Sequence, residues 1–142
     1  MHKDIIRVVI FYIWKLKCYC SLPIALPGPT GRPSVFDVSR DGMTIAWHEP
    51  DEDGGSAVTG YIIERKEVRA ERWVRANKNP VTMTRYRSTD LIEGLEYEHR
   101  VTAINARGVG KPSHLSPRAV ATDPVGECCH IYQTQNWMSS KL

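Results

Sequence analysis

The side chains able to do chemistry in this 142-residue chain are five histidines, four cysteines and a short basic stretch around one tryptophan. Imidazole and thiolate together can hold a metal or build a nucleophile with its base, provided that spacing brings them to one point. The spacing here does not. His2, His48, His99, His114 and His130 are scattered along the chain. Cys18-Tyr19-Cys20 and Cys128-Cys129-His130 lack the two-residue gap of a zinc knuckle and have no second half at a matching distance, so they read as free thiols in loose tails. Gly108-Val109-Gly110 has neither the third glycine nor the helix of a nucleotide site. No catalytic residue, metal or cofactor is expected, and an enzyme is not the reading; binding and mechanics remain.

The basic stretch offers recognition. Arg65, Lys66, Arg69, Arg72, Trp73 and Arg75 cluster along what reads as one hairpin. Guanidinium groups pair bidentately with carboxylates, and an indole supplies apolar anchorage, so an acidic protein surface is the natural partner. Glu64, Glu67 and Glu71 are interleaved with these bases, so the same residues also read as a solvated charge ladder with Trp73 packed at a sheet edge.

The elements that must position these residues are short and alternate with period two, the pattern of an antiparallel sandwich. Strands are predicted over 34–38, 43–48, 58–68, 72–76, 84–89, 97–105 and 118–122. In the sixth, Tyr97, His99, Val101 and Ala103 share one parity and are expected to face the core. Ile45, Trp47, Tyr61, Ile63, Leu95, Tyr97 and Val101 form the predicted interior, with Trp47 as core indole and Tyr97 as a corner tyrosine whose hydroxyl bonds to backbone upstream. The acidic, glycine-bearing loop 50–55 and the segment 107–112 read as turns. Pro27-Gly28-Pro29-Thr30-Gly31-Arg32-Pro33 is a stiff spacer at which the domain begins, giving an N-terminal tail over 1–26, a domain over 27–125 and a disordered tail over 126–142.

Charge supports a protein partner. Residues 28–126 hold fourteen Lys or Arg against fourteen Asp or Glu, so the net +3 lies wholly in the tails and nothing draws the domain to nucleic acid. All four cysteines lie outside the domain and no Asn-X-Ser/Thr acceptor occurs, which matches a reducing compartment. The apolar start, Ile5 to Trp14, resembles a weak secretory signal, yet Arg7 interrupts it, no small-X-small site follows before Pro23, and it is too short to span a bilayer.

Ile45-Ala46-Trp47-His48-Glu49-Pro50, Asp53-Gly54-Gly55-Ser56, Gly60-Tyr61-Ile62-Ile63-Glu64-Arg65-Lys66, Arg72-Trp73-Val74, Tyr97 through Asn105 and Gly108-Val109-Gly110-Lys111-Pro112-Ser113 together resemble the titin-like fibronectin type III modules of giant muscle proteins. The resemblance covers about residues 27–125 and implies an all-β, seven-stranded antiparallel sandwich with immunoglobulin-like architecture. It implies a cytoplasmic, sarcomeric structural module of the A-band: scaffold, mechanical spacer and binding element. The implied partners are thick-filament proteins (myosin or a myosin-binding protein) and neighbouring modules of the same chain, with no nucleic acid and no membrane. The alternative is an extracellular adhesion or receptor module led out by residues 1–14. Arg107-Gly108-Val109 lacks the carboxylate of an Arg-Gly-Asp adhesion motif, so adhesion is not carried over. His99 stands where the family pattern usually has Phe, so a titratable ring is expected to face the core, as a satisfied core histidine rather than a switch. The flanks match nothing in such an array, and the chain reads as one module of a longer protein with ends from an incomplete gene model.

Overall fold

A computed structural model describes residues 23–125. The apolar run over 5–14, all four cysteines and the C-terminal tail lie outside the described residues. Eight strand segments follow in order: β1 (Ser34–Phe36), β2 (Met43–Ala46), β3 (Gly60–Glu67), β4 (Val74–Arg75), β5 (Arg85–Ser88), β6 (Glu96–Asn105), β7 (Gly108–Pro112) and β8 (Ala119–Val120). One sheet runs β1-β2-β5 and the other β4-β3-β6-β7, with β8 also on β6. Every pairing is antiparallel.

The seven predicted strands are present, 118–122 shortened to β8, and β7 is an eighth that was not expected. β7 and β8 follow one another along the edge of β6 that faces away from β3. The segment 107–112, expected as a turn, is therefore corrected: Gly108–Pro112 is strand. Its glycines serve close approach. A Cβ at Gly110 would collide with the Pro27 carbonyl, so the entering chain lies directly on β7. Between β7 and β8, two serines keep the edge of β6 paired. The Val101 amide donates to Ser113 Oγ at 3.0 Å and the His99 amide to Ser116 Oγ at 2.9 Å. In return the Ser113 and Ser116 amides donate to the carbonyls of Val101 and His99, each at 2.8 Å. Hydroxyls thus stand in for carbonyls where the ladder is interrupted, and β6 leaves no orphaned amide there.

Alternation along β2, β3 and β6 turns one row of each inward. Met43, Ile45, Trp47, Tyr61, Ile63, Leu91, Tyr97, Val101, Ala103 and Ala121 form the buried cluster, with Leu95 partly buried against it. Each large apolar side chain so buried contributes about 1.5–3 kcal/mol against chain entropy. Trp47 and Tyr61 meet edge to face, centroids 5.3 Å apart at 68°, the arrangement that aromatic quadrupoles favour. The Ile92 amide donates to Tyr97 Oη at 3.1 Å, which ties the loop crossing between the sheets to β6.

The entering chain is fixed before the first strand. The amides of Ala25, Gly28 and Gly31 donate to the carbonyls of Gly54 (2.8 Å), Glu52 (2.8 Å) and His48 (3.1 Å). Asn105 Nδ2 bridges the carbonyls of Ala25 and Asp53 at 2.8 and 2.7 Å. Gly54, at φ 77, has no room for a Cβ beside the Ala25 carbonyl.

Candidate functional site

The register of β3 against β6 sets Lys66 opposite Glu98 and Glu64 opposite Arg100 on the outer face of the larger sheet. Both cross-strand pairs close: Lys66 Nζ lies 3.1 Å from Glu98 Oε1, and Arg100 Nε lies 2.6 Å from Glu64 Oε2. Arg118 Nε reaches Glu98 Oε2 at 3.6 Å, so this nearly covered carboxylate carries two cations. Trp73, just before β4, lies over the ladder with its ring centroid 4.4 Å from Arg100 Cζ and 5.5 Å from Lys66 Nζ.

Of the six residues expected to act together, this face holds only Lys66 and Trp73. Arg65 has the opposite parity: its guanidinium donates to the Thr89 carbonyl and, at 3.3 Å, to the Asp90 carbonyl. Arg75 Nε donates to the Asn77 carbonyl at 2.8 Å, along the edge beside β4. Arg69 and Arg72 are exposed in the connection between β3 and β4. The basic cluster is therefore three groups: a paired outer face, two guanidiniums at the edge, and two arginines at the hairpin tip. Glu64, Glu98, Arg100 and Arg118 belong to the outer face too. Glu98 and Arg100 have the parity opposite to the inward row of β6, but their partners depend on register between distant strands: Glu64 and Arg100 lie 36 residues apart.

Asn77 fixes the edge. Almost wholly buried, it accepts the Ile63 amide at Oδ1 (2.8 Å) and donates from Nδ2 to the carbonyls of Tyr61 (3.0 Å) and Asn79 (2.8 Å). The Ala76 amide donates to the Ile63 carbonyl at 2.8 Å, while Tyr86 Oη donates to the Ala76 carbonyl at 2.9 Å. A side-chain amide thus continues the pairing of β3 after β4 ends, and holds the backbone that carries Arg75 and Lys78.

His99 faces the core from β6 and is fully buried, but neither ring nitrogen has a hydrogen-bond partner. The expectation of a satisfied histidine is corrected. Burial pushes its pKa down from 6.5 to about 4, and the Arg65 guanidinium acts in the same direction, so the ring is neutral at pH 7. Among the described residues no three His, Cys, Asp or Glu side chains gather as a metal site requires. No described helix is long and apolar enough to cross a membrane.

The family model for the fibronectin type III domain matches residues 27–117. The fast-type myosin-binding protein C of Homo sapiens is 38% identical over 108 residues, covering 76% of this chain and 10% of that protein. The cardiac-type protein of Mus musculus is 37% identical over 108 residues, covering 76% and 8%. Among solved structures, titin domains A168–A170 share 39% identity at a TM-score of 0.66, covering 69% of this chain and 33% of that one. Titin module A71 from human cardiac muscle shares 31% identity at a TM-score of 0.66, covering 72% and 100%. The chain spans about a tenth of the length of the curated relatives it matches.

Proposed function

Since the chain belongs to the fibronectin type III family, we propose that it is a structural module of a titin-like sarcomeric protein, serving as scaffold, spacer and docking element on the thick filament. The observation that carries this reading is identity of 31–39% to myosin-binding protein C and to titin modules over 69–76% of this chain. The sarcomere is accordingly the proposed location, and a myosin or myosin-binding protein the proposed class of partner. Neighbouring modules of a longer chain are the other partners. The role is mechanical and associative, with no turnover.

The geometry suits such work. The strap from Ala25 to Gly31 is bonded to the loops at one end of the sandwich, and Asn105 ties it to β6. Tension entering along the strap must break this backbone network before it reaches β1. Full extension of about ninety-five residues would release roughly 300 Å of chain, against a folded radius of gyration near 13 Å. The module is a stiff spacer at ordinary load and a length reserve at extreme load.

Binding is assigned to the exposed arginines of the hairpin side, Arg72 and Arg75. The test is cosedimentation with native thick filaments of the unchanged chain and of a variant with Arg72→Glu and Arg75→Glu. Loss of binding at an unchanged melting temperature is expected. Equal binding would leave these residues as a solvated charge ladder and remove the docking role.

A further inference from the structure

We infer that the open groove between β4 and the turn at Thr89–Asp90, walled by Arg65, Arg75 and Lys78, is a docking site for carboxylate side chains of an acidic protein segment. The inference rests on the binding role proposed above and extends it from Arg72 and Arg75 into the groove beside the sheet edge. The groove has a volume of about 350 Å³ and is lined by Arg65, Arg75, Ala76, Asn77, Lys78 and Asp90.

The deciding contrast is charge compensation. On the outer face Lys66, Arg100 and Arg118 already have carboxylates within 4 Å, so an incoming anion would compete with Glu64 and Glu98. In the groove, Arg65, Arg75 and Lys78 stand in no ion pair among the described residues; the two arginines are held by carbonyl oxygens, which orient a guanidinium without cancelling its charge. Arg75 spends its Nε on the Asn77 carbonyl, which leaves the terminal amino groups free to donate. Only one carboxylate, Asp90, lines the groove against three cations.

The floor is rigid. Asn77 with its three hydrogen bonds, Ala76 bonded to Ile63 and the Tyr86 hydroxyl fix the backbone between Arg75 and Lys78. On the opposite wall Arg65 clamps the turn at Asp90, which adopts φ 59. Arginines so held lose little freedom on binding, and the terminal amino groups of Arg75 make a fork for a carboxylate of an acidic segment, with Arg65 and Lys78 adding positive charge to the walls.

The test uses the full chain, isotopically labelled, titrated at low salt with a glutamate-rich peptide and followed by amide and arginine side-chain resonances. Shifts centred on residues 75–78 and 89–90 are expected. Arg75→Glu with Lys78→Glu should weaken binding roughly tenfold, raising salt should weaken it likewise, and Asp90→Asn should tighten it about threefold. Asn accepts positive φ, so that variant keeps the turn, and Lys78→Gln alone gives the same sign where the double variant is damaged. Shifts centred on Trp73 and Arg100, equal affinity of the charge-reversed variant, or no binding at low salt would overturn the groove. In the first case filament docking survives at the outer face. Peptide held in the groove by a chain that does not bind filaments would instead keep the groove and remove the filament role.

Discussion

Replacing His99 by Phe should flatten the acid side of the stability curve. In the fold the ring is buried without a partner for either nitrogen, and its pKa is about 4 instead of 6.5. A base with a depressed folded pKa takes up its proton first in the unfolded chain. Its stabilising contribution is therefore complete above pH 6.5, is lost progressively as pH falls toward 4, and is constant below that. With these two values the loss between pH 7 and pH 5 is about 2 kcal/mol, and the total is about 3 kcal/mol. Urea denaturation of the full chain at both pH values reads this directly: the midpoint should fall by about 1–2 M for the natural chain. His99→Phe should show almost none of that fall. Carboxylates such as Asp41, whose pKa the Ser39 hydroxyl lowers, titrate identically in both proteins and cancel in the difference. The offset at pH 7 combines relief of two unsatisfied nitrogens with the bulk of a larger ring, whereas the slope depends on neither. Parallel losses in the two proteins would refute a neutral, unpartnered ring in the core.

Tyr97→Phe removes the bond from the Ile92 amide and should cost about 1–1.5 kcal/mol in chemical denaturation, with no change in the far-ultraviolet spectrum. Asn77→Ala strips three hydrogen bonds from a buried site and should cost about 2–4 kcal/mol, with amide exchange accelerated at Ile63 and across 75–79. Gly54→Ala places a Cβ against the Ala25 carbonyl at positive φ and should cost about 1–3 kcal/mol, loosening the strap while leaving β6 protected from exchange. Heat should unfold the chain in one cooperative transition whose midpoint reductant does not move, since no cysteine occurs over 23–125.

The layers of this sandwich were legible because the sequence states them locally. Ile45 and Trp47, Tyr61 and Ile63, and the alternate residues of β6 declare their inward faces by parity alone. Tyr97 carried further information, since a corner tyrosine fixes where the chain crosses between sheets. Leu91 and Ala121 are core residues that the parity of short runs did not single out, since they enter from outside the named strands, whereas Met43 shares the inward parity of Ile45 and Trp47. β7 was hidden by its glycines, which look like turn residues, although Gly110 provides clearance for Pro27. The site was less legible. Six residues close in sequence looked like one patch, yet strand parity sent Arg65 to the far side and Asn77 drew Arg75 to the edge. The pairing of Glu64 with Arg100 and Lys66 with Glu98 follows only from the register of β3 on β6, a long-range property that no local pattern encodes.

Imaging of the epitope-tagged full chain in cultured striated muscle cells, alongside myosin, addresses the sarcomeric role without intermediaries. Bands coincident with myosin, dispersed when Arg72 and Arg75 are both changed to Glu, are the expected result. Diffuse signal, or signal at the cell surface or in the medium, would contradict it.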